Sequence, residues 1–308
     1  MNRRTMLKQS AALLAASRLH GMPQADATSR FLPGFKTWKV QTTSATINGV
    51  IGGQGPPVLL LHGAPQTHIS WRLVAPKLAA DHTVVAADLR GYGDSSKSPD
   101  TADHSNYSKR AMALDQVEVM KHFGFDRFAV AGHDRGGRVA HRMALDHPRA
   151  VTKAAVLDIV PTHYLYTHVT IEFVQAYFHW FNYLRPAPGP ENEVKAGYDS
   201  RPAPQGEVQA EYHRSASDPA NIHAMCEDYR AGASIDLKDD AADLDHKVEC
   251  PLHVLWGERG PMGRIYDVLT IWKDRGTKVS GKGLPGGHNL QEDVPDLVLA
   301  ELRAFLRS

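Results

Sequence analysis

Val130-Ala131-Gly132-His133-Asp134-Arg135-Gly136-Gly137-Arg138 is the stretch whose reading decides the fold. Before it, Arg127 to Ala131 reads as a short buried strand; after it, Val139 to Leu145 reads as a helix. Between them lies G-x-D-x-G, with small residues on both sides of Asp134. A sharp strand-to-helix turn of this kind pushes its central side chain into an exposed spot, at the positive end of the following helix. Serine usually occupies such an elbow, and its alkoxide suits attack on a carbonyl. A carboxylate there is suited instead to displacing a leaving group from saturated carbon, giving an ester that water later cleaves.

Outward from the elbow the same alternation recurs. Val58 to Leu61 and Thr83 to Ala87 are continuous apolar runs, as strands covered on both faces require. Lys153 to Leu157 is another. Trp71 to Leu78 and Ala111 to Phe123 carry helical spacing between them. Strand and helix in turn predict an α/β class with a doubly wound, mostly parallel sheet. Ligands bind at the carboxyl ends of such strands, where His62, Asp88, Asp134 and Asp158 fall. Trp38 to Ile47 predicts a strand or hairpin with Asn48-Gly49 as a turn. From about residue 161 the pattern breaks. Tyr164 to Leu184 is aromatic-rich and helical, residues 186–190 are proline-rich punctuation, and Val208 to Arg214 and Asn221 to Arg230 read as helices. Strands return at Leu252 to Trp256 and Lys278 to Leu284, and Leu297 to Leu306 reads as a closing helix. The expected organisation is a core of residues 28–160 and 241–308 with a helical cap over 161–240.

Composition narrows the function. Thirty-five Lys and Arg stand against 34 Asp and Glu, which gives no ground for nucleic acid or a membrane surface as partner. Two cysteines, Cys226 and Cys250, make no disulfide framework and read as ordinary buried thiols. The 17 histidines show no ligand spacing for a metal, and no metal or other cofactor is expected. Residues 1–27 stand apart. Asn2 to Lys8 contains the Arg3-Arg4 pair of twin-arginine export signals, a short apolar run follows, and Ala25-Asp26-Ala27 offers a cleavage site. Export to the periplasm is the expectation, with a cytoplasmic protein carrying an N-terminal extension as the alternative.

From Val58 to the C-terminus the chain resembles the α/β-hydrolase superfamily, and within it the fluoroacetate dehalogenase group of haloacid dehalogenases. HGAPQTH from His62, DLRGYGDSS from Asp88, GHDRGGR from Gly132, His179-Trp180, HAMCEDYRAGASID from His223 and Gly286-Gly287-His288 carry the resemblance. The first two motifs are shared with epoxide hydrolases and haloalkane dehalogenases. The resemblance implies Asp134 as nucleophile, His288 as the base that activates water, and backbone N–H groups of Ala64 and Arg135 as the oxyanion hole. The third member of the triad is Asp158, which orients His288; Glu258 is the reserve, because Gly260 stands where many relatives place the acid. Arg135 and Arg138, at i and i+3 beside the nucleophile, fit a bidentate clamp on a substrate carboxylate. Their other reading is pairing with a local acid such as Asp146 or Asp158. His179, Trp180 and Tyr229 are implied as N–H and O–H donors to the departing halide. Asp88, Arg90 and Asp94 read as loop-fixing residues, and His133 as a support of the elbow. The segment between Trp180 and Tyr229 is shorter and richer in proline than in that group, so a looser pocket favouring chloride, bromide or larger acids is an expectation. The predicted activity is hydrolysis of short 2-haloacids such as fluoroacetate to 2-hydroxyacids. Epoxide hydrolysis by the same nucleophile is the alternative, and a non-catalytic ligand receptor is the reading from another class. A small haloacid is the expected partner, and a homodimer is compatible with the sequence.

Overall fold

The computed structural model describes residues 29–308, so the twin-arginine stretch lies outside the described residues. Eight strands form one sheet in the order β1-β2-β4-β3-β5-β6-β7-β8. β1 (Lys36–Gln41) and β2 (Thr46–Gly52) are antiparallel to each other, and β2 is antiparallel to β4 (Thr83–Ala87). From β4 onward the sheet is parallel, through β3 (Pro57–Leu61), β5 (Phe128–His133), β6 (Val151–Leu157), β7 (Leu252–Gly257) and β8 (Val279–Leu284). Side chains alternate between two cores. Leu59 and Leu61 of β3 join one, with Val139 and Met143; Val58 and Leu60 join the other, with Trp71, Leu302 and Phe305. Covering on both faces is why the inner strands read as unbroken apolar runs.

One expectation fails. Asn48-Gly49 is no turn but lies inside β2, and the hairpin turns at residues 42–45. Gly49 is needed for close approach instead. A Cβ there would lie 2.4 Å from the Trp38 ring and 2.5 Å from the Ala86 carbonyl oxygen.

The chain order reverses beside β3, which has β4 on one side and β5 on the other. At such a switch point the loops leaving neighbouring strands diverge and open a crevice. The loop after β3 brings Gly63 and Ala64 there, and the end of β5 brings Asp134. Glycines allow the crossing to be tight. A Cβ on Gly132 would lie 2.2 Å from the Gly136 carbonyl oxygen, and one on Gly136 would lie 2.5 Å from that of His62. The helix Arg135–Asp146 therefore packs directly on β3 and β5.

Between β6 and β7 the chain runs through short helices. Residues 164–184, read from sequence as one helical stretch, divide into Thr162–Thr167, Ile171–Ala176 and His179–Asn182. The proline-rich punctuation opens a helix, Gly189–Asp199, with Pro188 at its N-cap and Pro190 in its first turn, where a missing N–H costs nothing. Glu207–Ala216 and Pro219–Gly232 follow, then Ile235–Ala242, which the sequence pattern did not show. Among the described residues no helix is long and apolar enough to cross a membrane.

Candidate active site

Asp134 has φ +46° and ψ −115°, a conformation L residues rarely adopt. Such backbone costs about 1–3 kcal/mol and persists only where the surroundings enforce it. Here three hydrogen bonds do so: Asp134 N–H to the Leu157 carbonyl, Gly136 N–H to His62, and Arg138 N–H to the Asp134 carbonyl. The result aims the carboxylate into the crevice. Its Oδ2 accepts from the Ala64 N–H at 3.3 Å.

His288 follows β8 and faces the same carboxylate. Its Nε2 lies 4.0 Å from Asp134 Oδ2, and its Nδ1 donates to Asp158 Oδ2 at 2.6 Å. Asp158 is fully buried, with φ +50°, and its Oδ1 accepts from the Gly257 N–H at 2.8 Å. Glu258 is exposed. A Cβ on Gly260 would come within 3.4 Å of Asp158 Oδ2. The two alternative acid positions thus converge on one spot, and the absent side chain at Gly260 leaves room for Asp158. Burial works against a charge on His288, but its hydrogen bond to Asp158 and the charge of Asp134 outweigh it and raise its pKa above the ordinary imidazole value. His133 supports this arrangement from below: its Nε2 donates to the His288 carbonyl at 2.9 Å. Burial drives the His133 pKa down to about 3, so the ring stays neutral.

A cavity of about 320 Å³ opens over the elbow, lined by Ala64, Asp134 and His288 from the core and by His179, Trp180 and Tyr229 from the helices above. Tyr229 Oη lies 3.4 Å from His179 Nε2, and the Trp180 and Tyr229 rings meet edge to face at 5.4 Å. Burial lowers the His179 pKa to about 4 and lifts that of Tyr229 well above its ordinary value. Both are neutral at pH 7 and able to donate. Tyr177 and Tyr183 complete this aromatic wall and were not singled out by sequence.

Neither Arg135 nor Arg138 pairs with Asp146 or Asp158, correcting that reading. Arg135 is fully buried, and its Nε donates to Asp228 Oδ2 at 2.8 Å and its Nη2 to the Asp228 carbonyl at 2.6 Å. Arg138 donates from Nη1 to Thr162 Oγ1 at 2.7 Å. Among the described residues, Arg135 Nη1 and Arg138 Nε and Nη2 are buried with no hydrogen-bond partner, as is the hydroxyl of Tyr166. Both guanidinium groups lie behind the cavity wall, Arg135 4.1 Å from the Tyr229 ring and Arg138 4.7 Å from that of Trp180. Burial and the neighbouring Arg135 lower the Arg138 pKa, the mark of a cation lacking anionic company.

Asp228 is the residue that sequence reasoning missed. It holds Arg135, Lys109 and the Tyr92 hydroxyl together. Its signal was present in the motif around Tyr229, as an acid one residue before the aromatic donor. Asp88 fixes its loop as expected, accepting from His68, Asn48 and the Asp94 N–H, and Arg90 pairs with Asp115. Away from the cavity, Asp100, His223 and Glu227 hold ligand-type atoms within 4.8 Å of one another, but Arg230 and His104 already engage Glu227.

Residues 56–194 match the α/β hydrolase fold as a family. A fluoroacetate dehalogenase from Burkholderia sp is 45% identical over 286 residues, covering 89% of this chain and 94% of that one. The chain belongs to the fluoroacetate dehalogenase group of the α/β-hydrolase superfamily. It is a hydrolase acting on carbon–halide bonds. Its wider kinship includes a soluble epoxide hydrolase from Corynebacterium sp. (strain C12), 33% identical over 83% of this chain and 93% of the other. Among solved structures, an α/β hydrolase from Nostoc sp PCC 7120 superposes with a TM-score of 0.85 at 50% identity, covering 88% of this dehalogenase and 98% of that chain.

Proposed function

We propose that the protein hydrolyses short 2-haloacids of the fluoroacetate and chloroacetate type to 2-hydroxyacids through an ester on Asp134. The observation that carries this is the set of buried, unpartnered guanidinium N–H groups of Arg135 and Arg138 beside the nucleophile. Burying a cation costs several kcal/mol unless an anion offsets it, and Asp228 satisfies only part of Arg135. A substrate carboxylate reaching in between the Trp180 and Tyr229 rings would supply the rest.

The proposed reaction runs in two halves. Asp134 Oδ2 is engaged by Ala64, which leaves Oδ1 to attack the halogen-bearing carbon from the side opposite the leaving group. A carbon–oxygen bond forms, the carbon–halogen bond breaks with inversion, and the halide departs toward His179, Trp180 and Tyr229. Fluoride needs these donors most, being small and strongly hydrated. Esterification removes the Asp134 charge, one of the influences that raise the His288 pKa. The ring then releases its proton more readily and accepts one from water held between Nε2 and the ester. Hydroxide adds to the Asp134 carbonyl carbon and the Ala64 and Arg135 N–H groups stabilise the oxyanion; the bond from that carbon to the product oxygen then breaks, His288 returns its proton to the departing oxygen, and the hydroxyacid leaves with the Asp134 carboxylate restored. Asp158 orients His288 and stabilises its imidazolium.

The deciding test is a halide-release screen of fluoro-, chloro- and bromoacids alongside styrene oxide, using the wild type and Asp134→Ala. Halide from haloacids, lost in the variant, is the expected result. Diol from the epoxide without halide from any acid would instead establish the epoxide hydrolase reading, for which Tyr177 and Tyr229 stand in the cavity wall.

A further inference from the structure

A second cavity, of about 450 Å³, lies outside the first and shares Pro65, Tyr198 and Arg201 with it. These three residues are therefore the partition between the catalytic space and the outer chamber. Arg201 follows the helix Gly189–Asp199 and is exposed. Its guanidinium lies over the Tyr198 ring at 4.3 Å, and the His213 ring stands perpendicular to that of Tyr198 at 6.0 Å. Pro202 and Pro204 follow it and restrict the backbone. Among the described residues, Arg201 forms no ion pair. The acid lining this chamber, Glu292, is already engaged by Arg72, by the Tyr212 hydroxyl at 3.0 Å and by Gln66 Nε2 at 2.7 Å. The chamber thus carries an uncompensated positive charge at its inner end.

We propose that Arg201, stacked on Tyr198, is an outer capture subsite for small carboxylate anions on their way to Asp134. The inference rests on the haloacid reading above, since only an anionic substrate gains from it. The need is physical. The chain's net charge is +1, too small to draw anions by itself. An incoming carboxylate must approach the Asp134 carboxylate, which repels it. A cation at the partition offsets that repulsion along the path. Because the guanidinium is exposed, its contribution to bound affinity is small, and its effect falls on encounter.

Association of glycolate with the wild-type protein, followed by stopped-flow tryptophan fluorescence, tests this without turnover and with the Asp134 charge in place, and calorimetry of glycolate and chloroacetate with the Asp134→Asn protein is measured beside it. Adding Arg201→Gln should slow association about three- to fivefold at ~10 mM salt, where the screening length is about 30 Å, and the gap should close near ~1 M, where it is about 3 Å. Arg201→Lys should keep the fast rate, because charge rather than the planar fork is what matters. Equal rates for Arg201→Gln at low salt, or a loss that salt does not diminish, overturns the capture subsite while leaving the haloacid reading intact. If the Asp134→Asn protein binds neither anion, the carboxylate reading and the capture subsite fall together.

Discussion

The proposed ester route gives Asp134, His288 and Arg138 separable duties, so each should leave its own mark when removed. On that route, removing His288 leaves the first half of the reaction possible and blocks the second. His288→Gln should therefore accumulate the ester on Asp134, seen as a stable mass gain of one carboxymethyl group after exposure to chloroacetate. Among the described residues the Arg138 guanidinium hydrogen-bonds only Thr162 and pairs with no acid, so it probes the carboxylate more cleanly than Arg135 does. Arg138→Leu should lower kcat/KM for haloacetates by about 10- to 150-fold, the equivalent of one charge-assisted contact at 1.5–3 kcal/mol. Steady-state kinetics beside an unchanged circular dichroism spectrum would check it. The pH dependence follows from His288. Its pKa is raised in the free protein, with the Asp134 charge among the causes, and the ring must be neutral when it acts on the ester. In the ester the Asp134 charge is gone and the pKa is lower, so the acidic limb of single-turnover ester hydrolysis should lie below the His288 titration in the free protein, measurable by NMR. At this scale much was legible. The elbow glycines betrayed Asp134, and Gly260 where an acid is common pointed to Asp158. What the sequence could not show was the partner of Arg135, because Asp228 lies 93 residues away and only packing brings it there.

The helix Pro219–Gly232 and the loop that carries His288 are the elements on which the site depends. Asp228, on that helix, balances Arg135 and Lys109 in a fully buried setting. Burial pushes its carboxyl up, but the two cations overcome this and hold it well below the ordinary range. Its folded pKa is therefore depressed, so its stabilising effect is present above the unfolded value and is lost as the pH falls below it. Asp228→Asn should cost about 3–5 kcal/mol by leaving buried cations uncompensated, seen as a lower thermal midpoint. Gly257 is the second pressure point. A Cβ there would lie 2.0 Å from the Gly287 carbonyl oxygen, so Gly257→Ala must displace the backbone next to His288. Strands were easy to read because both faces are covered. The helices between β6 and β7 were harder, since prolines that look like breaks at 188 and 190 in fact start a helix, and Gly49 looked like a turn because closeness to Trp38 leaves no sequence trace.

Across the molecule, the sheet sets Asp134 and His288 from below while the inserted helices set His179, Trp180 and Tyr229 from above. The buried guanidinium groups lie where these two parts meet. Relatives on the same fold include a fluoroacetate dehalogenase and a soluble epoxide hydrolase, so the fold alone does not set the substrate; on the proposed reading, what lies over Asp134 does. The central claim is that the oxygen delivered to product comes first from Asp134. Single-turnover hydrolysis of a haloacetate in heavy-oxygen water, with protein in excess, tests it most directly. The hydroxyacid should carry ordinary oxygen while the heavy atom remains in the Asp134 carboxylate; heavy oxygen in that first hydroxyacid would contradict the ester route.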